Sequence, residues 1–133
     1  MYTDEQRRFL EDHVWGVLAT GREDGSPQQS MVGYALDDEG RILVLTRTVT
    51  AKWRNALRRP RVSFAVPDDR VHVVVYGVVE AIEDDPERAE RSADVLAAVR
   101  GTERPDPASI VEWLDENGSR VLRITPQKAL MHT

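Results

Sequence analysis

Residues 14–46 read VWGVLATGREDGSPQQSMVGYALDDEGRILVLT, which is three apolar runs separated by two short polar segments. The apolar runs are Val14–Thr20, Gln28–Leu36 and Ile42–Thr46. Asp24-Gly25 in the first polar segment is a common hairpin signal, and Asp37–Gly40 has the composition of a tight turn. Because strands joined by tight turns pair antiparallel, this stretch predicts a three-stranded meander.

The rest of the chain adds strands and helices to this meander. Further strands are predicted at Arg61–Val66, Val71–Ile82 and Val121–Thr125, the last of which is broken by Pro126. Gly77, inside the fifth strand, predicts a bulge or a bend. Helices are predicted at residues 4–13, 51–59, 86–100 and 108–116. Six short strands with peripheral helices favour a mainly β, closed or half-closed antiparallel barrel over a Rossmann sheet.

Threonines mark the starts of the first two helices. Thr3 with Gln6 three residues later has the pattern of a capping box, and Thr50 precedes the second helix as an N-cap. The apolar spacing in the last helix predicts that Ile110, Trp113 and Leu114 are buried together.

Length and composition indicate one ordinary globular unit. The chain has 133 residues, of which 41% are hydrophobic and 31% are charged, so we expect residues 1–133 to form a single domain. The longest apolar run is too short to span a bilayer, and the acidic N-terminus is unlike a signal peptide. We therefore expect a cytoplasmic protein with no membrane partner.

The sequence predicts no metal site. It contains no cysteine, which excludes disulfides, thiol nucleophiles and cysteine-ligated metals. The three histidines, His13, His72 and His132, lie far apart in the chain, and no HxxxH or HExxH spacing is present. Pairs of acidic residues occur at strand ends, where turn chemistry accounts for them.

The charge balance argues against nucleic acid as a partner. The 18 basic and 23 acidic residues give a net charge of −5, whereas a duplex-binding protein usually carries a basic face. Sixteen of the basic residues are Arg and only two are Lys, a bias that indicates a GC-rich bacterial genome.

The segment Thr46–Asn55 is the richest in groups that can bind an anion. A strand ends at Thr46 and a helix begins after Thr50, so unpaired N–H groups and a partial positive charge are expected there. Arg47 and Thr48 add a cation and a hydroxyl. Lys52 lies in the first helical turn, where a cation opposes the helix dipole and a bound phosphate would offset that cost.

Two other interpretations of this segment remain open. Thr50 can serve as an ordinary N-cap beside a solvated basic face. The wider cluster formed with Arg54, Arg58, Arg59 and Arg61 can also be a nucleic-acid patch, although the acidic remainder of the chain would repel a phosphate backbone.

Several motifs occur in a characteristic order and spacing. They are Gly16–Thr20, Asp24–Gln28, Thr46–Lys52, Arg54-Asn55 and Pro60–Val62. Together they resemble the pyridoxamine 5′-phosphate oxidase-like split β-barrel superfamily, and more closely its flavin/deazaflavin oxidoreductases of group B. The resemblance covers residues 9–82 and extends to the final strand. It implies a six-stranded antiparallel split β-barrel (the FMN-binding split barrel) that forms a homodimer, with the cofactor in a groove at the subunit interface.

The resemblance also implies roles for particular residues. Thr46–Lys52 corresponds to the phosphate-binding turn of the family, in which Lys52 and Thr50 would bind the cofactor phosphate with help from Arg47. Gln28–Val32 corresponds to the strand under the ring system. The residues implied to bind or shape the cofactor site are Gln28, Ser30, Met31, Val32, Thr46, Arg47, Thr50, Lys52, Trp53 and Asn55.

The implied cofactor is F420, with FMN as the alternative. F420 carries a phosphodiester and an acidic tail, which Arg54, Arg58 and Arg59 could meet as an electrostatic funnel. The implied reaction is hydride transfer from the reduced deazaflavin to an electron-poor small molecule such as an enone, a quinone-like or a tetrapyrrole-like compound. His72 and Tyr76 share one face of the fifth strand and are candidates to line the substrate pocket, although packing is the more common role of such strand residues.

Other functions stay open at this point. An FMN-dependent oxidoreductase of the same superfamily, a non-catalytic carrier or sensor of the cofactor, and a barrel without a ligand are the alternatives. The chain lacks the arginine-rich C-terminal motif of pyridoxamine phosphate oxidase itself, which puts that substrate in doubt.

Overall fold

The structure is a computed structural model that describes residues 1–133. Its strands are β1 (Trp15–Gly21), β2 (Pro27–Leu36), β3 (Ile42–Arg47), β4 (Arg61–Asp68), β5 (Val71–Ile82) and β6 (Ser119–His132). Its helices are α1 (Asp4–Glu11), α2 (Ala51–Arg58), α3 (Glu87–Arg100) and α4 (Val111–Asn117), with a 3₁₀ turn at Pro107–Ile110. The six predicted strands and four predicted helices are all present in the predicted order.

The six strands form a closed antiparallel barrel in the order β1-β2-β3-β6-β5-β4. The pairing of β4 with β1, which sets Val17 opposite Ala65, closes the barrel. β6 lies between β3 and β5, and its register runs from Ser119 opposite Arg47 to His132 opposite His72. The predicted antiparallel split-barrel fold is confirmed.

Alternate residues of each strand point into the barrel and form the main hydrophobic core. Leu18, Phe64 and Leu122 are among the fully buried side chains of this core. Tyr34 belongs to it as well, and its buried hydroxyl donates a hydrogen bond of 2.6 Å to the carbonyl of Leu10 in α1. The barrel interior is therefore a packed core, and any ligand must bind at an end or on the outside.

Helices close the two ends of the barrel. At one end, α1 follows the predicted capping box of Thr3 and Gln6, and its Leu10 is fully buried. At the other end, α2 begins after Thr50 and contributes Trp53 and Ala56 to the core. We call these the α1 end, with the β2–β3 and β4–β5 turns, and the α2 end, with the β1–β2 turn and the start of β6.

One sector of the outer barrel surface is covered by α3. Val95 of this helix packs with Leu43, Ile82 and Val121 in a second, smaller core cluster. A Cβ added at Gly33 of β2 would lie 2.6 Å from Val99 of α3, so the absence of a side chain lets helix and strand approach closely. The helix thus packs against the outside of the barrel.

The prediction that Pro126 breaks the last strand is wrong. β6 continues through Pro126 to His132, because the residue pairs with Gly77 where the register shifts between Tyr76 and Gly77. A proline is tolerated in a sheet at such a bulge, where a ladder hydrogen bond is already missing. The bulge predicted from Gly77 is confirmed, and a Cβ there would lie only 2.5 Å from the carbonyl oxygen of Thr125.

The predicted apolar face of the last helix is only partly correct. Leu114 is fully buried, but Trp113 is 40% exposed and the segment begins as a 3₁₀ turn. The regular part of α4 is only seven residues long, which is too short to bury a wide apolar stripe. A buried polar contact holds this segment instead: the Arg88 guanidinium of α3 donates to Asp115 at 2.8 Å and to the Ser119 carbonyl at 3.4 Å.

Candidate functional site

The turn between β3 and α2 is organised around the hydroxyl of Thr50. This hydroxyl donates to the carbonyl of Arg47 at 2.8 Å, accepts the N–H of Trp53 at 3.4 Å and lies 3.2 Å from the hydroxyl of Thr46. Because a hydroxyl has a single donor, Thr46 is the donor in the last of these contacts. Thr50 is therefore fully engaged within the chain, and its first role is to fix the shape of the turn.

The same turn leaves other donors free. Thr50 satisfies the N–H groups of Trp53 and Arg54, whereas those of Ala51 and Lys52 are the remaining unpaired donors of the first helical turn. The hydroxyl of Thr48, half-buried beside Gly118, makes no hydrogen bond within the chain. These groups point to the N-terminus of α2 as a place where an anion can be bound.

Lys52 is a half-buried cation without an acidic partner. The first turn of α2 contains no acidic residue, and Lys52 forms no ion pair or hydrogen bond within the chain. Burial alone lowers the pKa of its ammonium group. A cation that is partly desolvated and also opposes the helix dipole is stabilised by an added anion.

The turn is held from behind by the segment between α4 and β6. The Arg47 guanidinium donates to the carbonyl of Asn117 at 3.1 Å, and the N–H of Thr48 donates to the carbonyl of Gly118 at 3.0 Å. The Arg47 side chain remains exposed, so one edge of its guanidinium is available to a ligand. Residues separated by 70 positions in the chain thereby form one polar corner at the α2 end.

A cleft of about 580 Å³ lies next to this turn, between α2 and the β1–β2 turn. Its lining residues are Arg22, Glu23, Asp24, Gln28, Ala51, Arg54, Asn55 and Arg58. Arg54 is exposed and forms no ion pair, while Arg58 donates to the amide oxygen of Asn55 at 3.2 and 3.3 Å. The three arginines of the lining outnumber its two carboxylates, which favours an acidic ligand.

A chain of hydrogen bonds fixes the polar floor of this end of the barrel. The side-chain amide of Asn55 donates to the hydroxyl of Thr20, which donates to the side-chain oxygen of Gln28, both at 3.2 Å. The Gln28 amide then donates to the hydroxyl of Ser30 at 2.9 Å. Thr20 was not singled out in the sequence, where a threonine closing an apolar strand gives no sign of this contact.

Two acidic residues, Glu23 and Asp24, also line the cleft. The carboxylate of Asp24 accepts hydrogen bonds from the hydroxyl and the N–H of Ser26, and these bonds hold its pKa below the usual value. Arg59 lies outside the cleft lining, and its guanidinium donates to the carbonyl of Glu23 at 3.1 Å. No group of three or more potential metal-ligating side chains is present anywhere in the structure.

Of the ten residues implied by the resemblance, only Gln28 and Asn55 line the cleft itself, while Lys52 lies in the turn beside it. Val32 and Trp53 are buried in the barrel core, so a ligand could reach only the backbone of Val32. Met31 points to the outer surface of the barrel and is 73% exposed. By contrast Gln28, Ser30 and Asn55 lie together at the α2 end through the hydrogen bonds described above.

The part of the outer barrel surface that α3 leaves uncovered, on β1, β4 and parts of β2, β5 and β6, is partly apolar. Its exposed hydrophobic side chains include Trp15, Met31, Tyr76 and Leu130. Tyr76 lines a second cleft of about 540 Å³ on this face, beside Ser63 and Gln127. We call this surface the open sheet face. Because Trp15 is exposed, its side chain does not pack in the barrel core.

His72 also lies on the open sheet face, as its shared face with Tyr76 predicts, but at the α1 end. The register sets it opposite His132, and the two rings stack with centroids 4.6 Å apart. The structure therefore does not bring His72 to the cleft beside α2. The pairing of these histidines, 60 positions apart, could not be inferred from their spacing in the sequence.

Residues 2–133 match the protein family described as pyridoxamine 5′-phosphate oxidase. No curated protein matches the sequence significantly. No helix of the chain is both long and apolar enough to cross a membrane. The match covers nearly the whole chain, so the split-barrel architecture and the family assignment agree.

Solved structures with the same fold include a conserved hypothetical protein from Mycobacterium tuberculosis, with 27% sequence identity and a TM-score of 0.84 over 99% of this chain and 84% of that one. An F420 reductase is 23% identical, with a TM-score of 0.74 over 97% of this chain and 98% of that one. A heme-binding protein from Mycobacterium smegmatis is 26% identical, with a TM-score of 0.73 over 96% of this chain and 52% of that one. These similarities establish the fold.

Proposed function

Because the chain belongs to the pyridoxamine 5′-phosphate oxidase family, within a superfamily of flavin-binding split-barrel oxidoreductases, we propose that it is an F420H2-dependent reductase. Its substrate is an electron-poor small molecule of the enone, quinone-like or tetrapyrrole-like class. The observation that carries the proposal is Lys52, a half-buried cation with no acidic partner at the N-terminus of α2. The fold is also one that an F420 reductase has.

The cofactor phosphate binds at the turn before α2. In this proposal the phosphate contacts the ammonium group of Lys52, the free N–H groups of the first helical turn and the exposed edge of Arg47. Thr46 and Thr50 fix the turn through their mutual hydrogen bond, and Thr50 donates to the phosphate only if it releases the carbonyl of Arg47. The anion therefore replaces solvent around groups that the chain leaves unsatisfied.

The adjacent cleft favours F420 over FMN. The acidic tail of F420 needs cations beyond the phosphate site, and Arg54 and Arg58 line the cleft next to Lys52. FMN needs the phosphate turn alone, so it is the second candidate cofactor. Arg59 lies outside the cleft lining and contributes to the local positive potential only.

When bound, the reduced cofactor supplies a hydride, and the chain supplies position and exclusion of water. Gln28 and Ser30 form the hydrogen-bonded edge of β2 that faces the α2 end, where they orient a polar ring system. Trp53 and Asn55 support the turn from inside the barrel. No side chain in the cleft has the environment of an activated nucleophile, which agrees with chemistry that belongs to the cofactor.

A homodimer completes the site. The open sheet face exposes Trp15, Met31 and Tyr76 together, and apolar side chains concentrated on one surface mark an interaction site. A second copy of the chain would cover the part of this face around Met31 and Tyr76, leaving His72 and His132 at its margin, and would bring its own open sheet face against Tyr76. The substrate pocket then forms between the α2 end of one subunit and the covering subunit.

Fluorescence titrations with F420 and, separately, with FMN test the proposal. We expect saturable binding of F420 that is tighter than that of FMN. Lys52→Ala should weaken F420 binding by about tenfold or more, because a charge-assisted contact is lost. The stability of the Lys52→Ala variant should not fall, since the removed cation opposes the helix dipole. Arg70→Ala is the matched control, because it removes an exposed cation at the α1 end and should leave the affinity unchanged.

Each other outcome changes the proposal in a defined way. Saturable binding of FMN alone would make the protein an FMN-dependent oxidoreductase. Equal affinities of the wild type and Lys52→Ala would remove Lys52 from the phosphate site. Tight F420 binding without hydride transfer to a panel of enones and quinones would support a carrier or sensor. Absence of saturation with either cofactor would overturn the proposal.

A further inference from the structure

His72 and His132 face each other across two neighbouring strands of the open sheet face. The register of β5 and β6 places them directly opposite, and their ring planes are inclined by 21° with centroids 4.6 Å apart. Directly opposed residues of antiparallel strands have Cβ atoms about 4.5–5.5 Å apart. The backbone pairing therefore holds two imidazoles side by side without help from any loop.

Neither of these rings is engaged within the chain. No hydrogen bond joins a ring nitrogen of His72 or His132 to another group, and both side chains are accessible to solvent. His13 is the contrasting case, because its two ring nitrogens lie 2.6 Å from the Phe9 carbonyl and 2.8 Å from the carboxylate of Asp68. Four imidazole nitrogens at one place thus have no assigned partner.

The immediate surroundings of the pair offer no competing partner. On the same face, His72 is followed by Val74 on β5 and lies opposite Pro67 on β4. His132 is preceded on this face by Leu130. The strand neighbours of the pair on this face are therefore apolar, and no ion pair or hydrogen bond within the chain occupies the ring nitrogens.

We propose that His72 and His132 form a binding site for a divalent transition-metal ion of the Zn²⁺, Ni²⁺ or Cu²⁺ class. Neutral imidazole nitrogen is a preferred ligand for these ions, whereas Mg²⁺ and Ca²⁺ prefer oxygen. Two donors on paired strands act as a chelate, since binding to one ring raises the effective concentration of the other. Rotation of the unbonded rings about χ2 turns one nitrogen of each toward a common ion, and water completes the coordination.

This site is separate from the proposed cofactor site. β6 begins with Ser119 opposite Arg47 at the α2 end and finishes with His132 at the α1 end, so the two sites lie at opposite ends of one strand. The metal proposal therefore holds whether or not the chain binds F420. A variant at one end leaves the other end in place.

The test is a titration of metal-free, ¹⁵N-labelled protein with Zn²⁺, followed by the ring-nitrogen resonances of the three histidines. We expect the signals of His72 and His132 to shift together and saturate at one Zn²⁺ per chain, while those of His13 stay in place. Mg²⁺ at the same concentrations should shift the ring-nitrogen signals of neither His72 nor His132. Unmoved His72 and His132 signals at millimolar Zn²⁺ would overturn the proposal.

Variants separate a chelate from two independent histidines. His72→Gln and His132→Gln should each weaken Zn²⁺ binding by about tenfold or more, because a single imidazole loses the chelate advantage. His13→Gln is the matched control and should bind Zn²⁺ like the wild type. Zn²⁺ should also raise the melting temperature of the wild type but not of the two single variants. Wild-type affinity in either single variant would contradict the chelate.

Discussion

The two ends of the barrel use positive charge in different ways. At the α1 end, each of Arg7, Arg41 and His13 lies within 2.8 Å of a carboxylate oxygen. Around the β3–α2 turn and the adjacent cleft of the α2 end, Arg47, Arg58 and Arg59 donate only to carbonyl or amide oxygens. Lys52 and Arg54 have no partner at all.

We interpret this difference as a division between cations that stabilise the fold and cations that remain available to a ligand. A cation beside a carboxylate has already exchanged part of its hydration for a protein partner. A partly buried cation without such a partner keeps its charge available, and a bound anion gains from it. The prediction that follows is general: variants of paired cations change stability, and variants of unpaired cations at the α2 end change ligand binding.

Arg88 gives the largest expected effect, because it is the paired cation of the α2 end. Its side chain is only 3% exposed and bonds to both carboxylate oxygens of Asp85 and to Asp115. These bonds raise the pKa of the Arg88 guanidinium and lower that of the Asp85 carboxyl. Arg88→Ala should lower the free energy of unfolding by about 2–3 kcal/mol, since the two carboxylates keep access to water.

Urea unfolding measures this loss, and Arg88→Lys is the matched control. Lysine keeps the charge but cannot make the two parallel bonds to Asp85, so it should recover only part of the stability. Cofactor affinity should fall in Arg88→Ala as well, because the guanidinium also holds the Ser119 carbonyl, next to the residues that fix Arg47 and Thr48. Unchanged stability in Arg88→Ala would break the distinction between paired and unpaired cations.

Substitutions of Thr50 should have an intermediate effect, on stability and on ligand binding. It caps α2 and joins the turn to Thr46, so Thr50→Ala should lower the free energy of unfolding by about 1 kcal/mol. Thr50→Ser keeps the hydroxyl and should behave like the wild type in urea unfolding and in F420 titration. A loss of affinity in Thr50→Ser equal to that in Thr50→Ala would show that the methyl group, not the hydroxyl, sets the turn.

The sequence predicts the barrel and this turn because both depend on local signals. The Asp24-Gly25 hairpin, the Thr3 capping box and the Thr50 N-cap involve contacts over four residues or fewer, and each is present in the structure. The bulge at Gly77 follows from the lack of a side chain at a single position. Local signals of this kind can be recognised in the sequence before any tertiary contact is known.

The features that could not be predicted from the sequence depend on contacts between distant residues. Arg88 meets Asp115 and Ser119 only after α3 and α4 have packed, and residues 86–118 carry no recognisable motif. The pairing of His72 with His132 requires the register of β5 and β6, which the wrong ending of β6 at Pro126 concealed. The role of Thr50 as an engaged hydroxyl likewise needs the position of the Arg47 carbonyl.

His13 carries the smallest expected effect and the one that depends on pH. Burial acts to lower the pKa of His13, but the hydrogen bonds to Asp68 and Phe9 and the charges of Asp68 and Asp12 outweigh it and raise the pKa. Both hydrogen-bond partners are acceptors, so the ring binds them best as imidazolium. The stabilisation is thus complete below the unfolded pKa of about 6.5 and is lost as pH rises through the higher folded pKa.

His13→Gln should therefore be less stable than the wild type near pH 5.5 and nearly equal to it at alkaline pH. The difference should stay below about 1 kcal/mol, because the carboxylate of Asp68 is exposed and screened by solvent. Urea unfolding of the wild type and His13→Gln across this pH range measures it. Parallel pH profiles for the wild type and His13→Gln would mean that the packing of Leu10, and not the pairing of charge, attaches α1 to the barrel.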